Sequence, residues 1–236
     1  MKKLYEKNEL NFALVWIGAY VVLFSLADGL SEQFGLAKLV TAPLCVGMTA
    51  FLLIWLRRNG LMETFGLTKG KGRAGKYLYY LPLVLIASTN LWGGIRLNLS
   101  WTETILYIIS MIGVGFLEEV IFRGFLFKAL CRENLRQAVI ISSLTFGFGH
   151  IVNLLNGAEL LPTLLQIGYA SAIGFLFTVI FLKSGSLIPC IVTHSVVNSL
   201  SVFAVDESEV LDLVTALVLM VVPTAYALWI LKKNKE

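Results

Sequence analysis

Charge is scarce in this sequence. Asp, Glu, Lys and Arg make up 14% of the chain against 57% hydrophobic residues, and the mean hydropathy is +0.80. That excludes an ordinary soluble globular domain, in which about 25% of residues are charged, and no basic stripe supports nucleic-acid binding. Cysteine is nearly absent as well. Cys45, Cys131 and Cys190 are an odd set in or beside apolar segments, so buried free thiols are expected rather than a disulfide framework. Histidine occurs only at His150 and His194. The sequence has no His-Glu-x-x-His zinc helix, no Gly-x-Gly-Asp motif, no Gly-x-Ser-x-Gly elbow and no internal repeat of the transporter kind.

What is abundant is apolar sequence in long runs. A helix crosses the hydrocarbon of a bilayer in about 20 residues. Eight candidate spans lie near 10–28, 39–56, 77–95, 103–130, 136–154, 162–182, 186–204 and 210–231, which predicts an all-α polytopic bundle forming a single transmembrane domain over 1–236. The first run follows Lys2, Lys3 and Lys7 as in a signal peptide, but no small-residue cleavage site comes after it and further spans do. It therefore reads as a retained helix. With the N-terminus in the cytoplasm, all of the 19 lysines and arginines except Lys38 and Arg96 fall on the cytoplasmic side. The other side carries Asp28, Glu32, Glu103, Glu159, Asp206, Glu207, Glu209 and Asp212. This asymmetry predicts that both termini are cytoplasmic. The basic, glycine-rich stretch from Arg57 to Lys76 reads as a solvated loop drawn to anionic lipid headgroups.

Against that background, a few polar side chains inside the spans stand out, because an ionised group in hydrocarbon costs several kcal/mol and faces a protein interior or a wet cavity. Span four carries Glu118, Glu119 and Arg123, span five Phe146 and His150, and span seven His194 and Asn198. Glu119 and Arg123 are spaced i, i+4 and can neutralise each other on one helix face. Glu118 lies about 100° further round and need not share that partner. His194 and Asn198 again share a face. Two histidines, two glutamates and an amide on three helices have the number and type needed to hydrolyse an acyl bond: a carboxylate to activate water, an imidazole to hold it, and an imidazole with an amide to donate to the oxyanion. A Glu/His/His set equally matches the three protein ligands of a catalytic zinc site, so a bare and a zinc-bound water are both compatible with these residues. Cys190 is expected to be a structural thiol, and Asn153 and Asn156 to cap or end the helix after His150.

Taken together, Glu118-Glu119-x-x-x-Arg123, Phe146-x-x-x-His150 and His194-x-x-x-Asn198 resemble the motifs of the CAAX protease and bacteriocin-processing (Abi) family of intramembrane endopeptidases. All three occur in order on separate spans, within a core from 103 to 204. The resemblance implies that Glu118 activates the water, that His150 helps position it and that His194 and Asn198 stabilise the oxyanion, with Glu119, Arg123 and Phe146 in support. It implies a glutamate-type peptidase without an obligatory metal, zinc being the alternative. The expected partners are the lipid bilayer and a membrane-associated peptide or protein substrate, and the expected location is a cell membrane, a bacterial plasma membrane by the style of the sequence. Peptide maturation, bacteriocin self-immunity and CAAX-type processing are the roles the resemblance suggests. Two rival readings of the same polar cluster are a proton- or ion-coupled transporter and a catalytically idle adaptor. The sequence does not set the oligomeric state.

Overall fold

The computed structural model describes residues 1–70, 80–205 and 208–233. Those residues are almost entirely helical: α1 (Lys2–Lys7), α2 (Glu9–Gln33), α3 (Thr41–Arg58), α4 (Leu81–Ser88), α5 (Trp101–Glu119), α6 (Lys128–Cys131), α7 (Leu135–Gly149), α8 (Val152–Leu155), α9 (Leu160–Ser184), α10 (Ile188–Leu200) and α11 (Glu209–Lys233). Three of the long helices, α2, α5 and α7, start where the sequence supplies side-chain caps for otherwise unpaired N–H groups. Asn8 and Asn134 accept from the backbone N–H groups of Asn11 and Gln137 at 2.8 and 3.0 Å. At the head of α5, the Ser100 hydroxyl accepts from the Glu103 N–H and the Glu103 carboxylate accepts from the Ser100 N–H, a reciprocal capping box.

A helix lies within each of the eight expected spans among the described residues, the third being helical only over Leu81–Leu91. Five of them are long and apolar enough to cross a membrane: Glu9–Gln33, Trp101–Cys131, Leu135–Leu155, Leu160–Ser184 and Glu209–Lys233. The segments Leu81–Leu91 and Ile188–Phe203 are shorter apolar helices. A rim of exposed Leu, Val, Ile and Phe side chains, among them Leu14, Val22, Phe51, Val84, Leu164 and Val221, surrounds the bundle, as expected of helices facing lipid.

α5 runs through the centre of the bundle, packed between α3 and α10, and α9 packs between α7 and α11. The crossing of α5 with α10 depends on Gly115, since a Cβ there would fall 2.7 Å from the backbone nitrogen of Ser195 and into its hydroxyl. The Ser195 hydroxyl in turn donates to the Ile112 carbonyl at 3.0 Å. After Glu119 the helix widens into a π-helical stretch, Val120–Phe127, before resuming as α6. Such a bulge loosens the regular backbone ladder and commonly marks a functional site; here the Phe122 carbonyl accepts from the Ser142 hydroxyl of α7 at 2.9 Å.

One charged residue departs from the pattern read from the sequence. Arg123, counted above with the cytoplasmic charges, is wholly buried, because π-helical residues and α9 enclose it and Glu119 neutralises it. Lys71, Arg73, Lys76, Asp206, Glu207 and Lys235 lie outside the described residues. The three cysteines are free thiols, Cys45 and Cys190 buried and Cys131 partly so.

Candidate active site

Glu119 is fully buried, and its Oε1 serves two helices at once. It accepts from Arg123 Nη1 at 3.0 Å and lies 2.8 Å from Nδ1 of His194 on α10. A carboxylate oxygen at that distance fixes the proton on Nδ1, so the imidazole is oriented with Nε2 pointing the other way. Nε2 lies 3.5 Å from Oε2 of Glu118. The two adjacent glutamates therefore divide a single imidazole, one at each nitrogen.

Glu118 has a further partner that sequence reasoning missed. The Tyr20 hydroxyl, from α2, donates to Glu118 Oε1 at 2.6 Å across 98 positions of sequence. A tyrosine in an apolar span has no spacing partner to single it out, and only the packing of α2 against the π-helical stretch reveals it.

Phe146 is the apolar hinge of the site. Its ring lies 4.0 Å from the guanidinium carbon of Arg123 and meets the rings of both His150 and His194 edge-on at 5.7 Å. Arg123 Nε and Nη2 have no hydrogen-bond partner among the described residues, and the aromatic face supplies a cation–π contact in their place. The guanidinium can lie there because position 174 is glycine: a Cβ would stand 2.7 Å from Nη2 and 3.1 Å from the Phe146 ring.

A cavity of about 140 Å³ opens beside Glu118, room for about five waters at bulk density. Its wall is formed by Tyr20, Ser25 and Asp28 of α2, Glu118, Phe122 and Phe146, and then His150, Asn153 and Asn156 around the turn from α7 to α8. His150 sits at the C-terminal cap of α7. Neither asparagine caps α7, whose C-cap is His150: Asn153 lies within α8 and donates to Gln166 of α9 at 2.8 Å, Asn156 caps α8, and both line the cavity. Asp28 accepts from Lys38 and Thr41. His194 lies behind Glu118 and is not part of the lining. Asn198, one turn further along α10, is half-buried, and its side chain makes no hydrogen bond among the described residues.

Among the described residues, no three His, Cys, Asp or Glu side chains are grouped so as to hold a metal ion. His194 Nδ1 is engaged by Glu119, which leaves Nε2 facing Glu118 Oε2, and Glu118 Oε1 is engaged by Tyr20.

Residues 99–200 match the family model described as type II CAAX prenyl endopeptidase Rce1-like. The matched segment, a little under half of the chain, contains all three motifs and falls on the same family as the motif resemblance. Tyr20 and Asp28 lie outside it. No curated protein and no solved structure matches the chain.

Proposed function

We propose that this protein is an intramembrane endopeptidase that hydrolyses a peptide bond of a membrane-associated peptide or protein, with Glu118 as general base. The reading is carried by one observation: Glu118 lines a cavity of about 140 Å³ inside an apolar bundle, and His150 lines it too. In this mechanism Glu118 takes the proton of a cavity water as the water attacks the scissile carbonyl. His150, which lines the same cavity, helps hold that water. The proton then passes from Glu118 to the leaving amine. The motif resemblance assigns the donors for the developing oxyanion to His194 and Asn198, neither of which lines the cavity.

Glu119 is a positioning residue, since it orients His194 and neutralises Arg123 without reaching the cavity. The chemistry proposed needs no metal, because a buried carboxylate beside an imidazole activates water by itself. The bundle sits in a cell membrane with the lysine- and arginine-rich end in the cytoplasm.

The test is cleavage of a membrane-associated peptide by purified protein in detergent or liposomes, comparing wild type with Glu118→Gln. Loss of cleavage with retained folding supports the assignment, and full activity in the variant would falsify it. An adaptor would keep its cellular role when Glu118 is replaced, and a transporter would show gradient-dependent uptake.

A further inference from the structure

Both ends of the bundle can be identified from the contacts that tie its helices together. At one end Arg132 pairs with Glu9, the Ser186 hydroxyl donates to the Thr68 carbonyl at 2.8 Å and the Leu187 N–H donates to the Gly66 carbonyl at 2.8 Å. This end holds Lys2, Lys3, Lys7, Arg57, Arg58, Lys69, Arg132, Arg136, Lys183, Lys232 and Lys233. At the other end the Ala37 N–H donates to Glu103 at 3.1 Å, and the Arg96 N–H donates to the Phe203 carbonyl at 2.8 Å. There, among the described residues, only Lys38 and Arg96 are basic, and Asp28, Glu32, Glu103, Glu159, Glu209 and Asp212 are acidic.

The cavity extends from Glu118 chiefly toward the acidic end, with Phe122 the one lining residue of its own helix on the basic side. Its lining climbs α2 from Tyr20 to Asp28, takes in the last turn of α7, and finishes on Asn153 and Asn156 beyond α7. Toward the basic end the way is filled. Phe125, in the π-helical stretch, packs at 4.9 Å against both Phe12 and Phe65 and at 6.5 Å against Trp55. Phe12, Phe65 and Phe125 are each at most 2% exposed. A packed aromatic cluster of this kind admits neither water nor an extended peptide without being dismantled.

We infer that substrate reaches Glu118 from the acidic, non-cytoplasmic end of the bundle, between α2 and the α7–α8 turn, so that its substrates are peptide segments on the outer side of the membrane. The inference rests on the peptidase reading and on the rule that the lysine- and arginine-rich end of a membrane protein faces the cytoplasm. The polar side chains along the route, Ser25, Asn153 and Asn156, can hydrogen-bond the backbone of an extended chain as it descends. A prenylated C-terminal tail held at the cytoplasmic surface would have to pass the aromatic cluster, which makes such a tail the disfavoured substrate here.

Two experiments decide the matter separately. In a Cys131→Ser background, where Cys45 and Cys190 are buried, Asn156→Cys and Lys69→Cys are treated in intact cells with a membrane-impermeant maleimide. Asn156→Cys is expected to label before lysis and Lys69→Cys only after it; the reverse pattern overturns the inference. Leu155→Cys, at a site 85% exposed, repeats the measurement should Asn156→Cys fold poorly. Sealed right-side-out and inside-out vesicles are then given a mixture of water-soluble quenched fluorogenic peptides, with Glu118→Gln as control. Cleavage confined to right-side-out vesicles supports outer access, and cleavage confined to inside-out vesicles overturns it. Cleavage in neither, nor in detergent, overturns the peptidase reading and with it the substrate class, while the labelling still fixes the side on which the cavity opens.

Discussion

The Tyr20 hydroxyl donates a 2.6 Å hydrogen bond to Oε1 of Glu118, joining the first long helix to the central one. This bond holds the carboxylate on the cavity wall and leaves Oε2 facing His194. Since Tyr20 also lines the cavity, it couples the orientation of the base to the packing of α2.

Tyr20→Phe removes that donor and keeps the ring. A hydrogen bond to a charged group is worth about 1.5–3 kcal/mol, so kcat is expected to fall by about 10- to 100-fold with KM nearly unchanged, because the bond positions the base and does not hold substrate. Steady-state cleavage kinetics would check it, and an unaltered kcat would remove Tyr20 from the mechanism.

The two adjacent glutamates should separate in a stability measurement. Glu119→Gln leaves Arg123 as an uncompensated buried charge, a change that costs about 3–5 kcal/mol, and is expected to lower the thermal midpoint in detergent markedly. Glu118→Gln keeps its bond to Tyr20 in altered form and leaves the Arg123 pair intact, so its midpoint should stay near that of the wild type even as cleavage is lost. Equal destabilisation by both would contradict the division of roles.

Gly174→Ala inserts a methyl group against the Arg123 guanidinium and the Phe146 ring. Overpacking of this kind costs about 1–3 kcal/mol. Gly18→Ala, which meets nothing within 4 Å, serves as the neutral comparison. Thermal unfolding of the two variants should differ in that order.

Exhaustive chelation is expected to leave cleavage intact, with metal well below one equivalent per chain in the active sample. Loss of activity on chelation, restored by zinc, would replace the bare-water mechanism with a metal-bound one.

Much of the fold can be read directly from the sequence, because hydropathy over a helix length and the spacing of caps are local properties. The Glu119–Arg123 pair is legible for the same reason: i, i+4 neighbours meet on any helix. Tyr20 and Asp28 are not legible, since each is an isolated polar residue whose partners arrive from elsewhere in the chain. The depth of His150 is also hidden. It lies at the very end of α7, and only the packing of α7 against the π-helical stretch brings it to the same cavity as Glu118.

The sequence by itself determined that this chain is a membrane-spanning helical bundle with charge segregated to its ends and three motifs of polar residues on separate helices. Tertiary structure decided which glutamate faces the cavity and which is sealed into the ion pair. The physical reason lies in rotation about the helix axis. Adjacent residues point about 100° apart, and the absolute rotation of α5 is set by close contacts such as Gly115 with Ser195 and by the enclosure of Arg123 beside Gly174. Tertiary structure also decided the direction in which the cavity opens, because that depends on Phe12, Phe65 and Phe125, drawn from three distant segments, packing into one cluster.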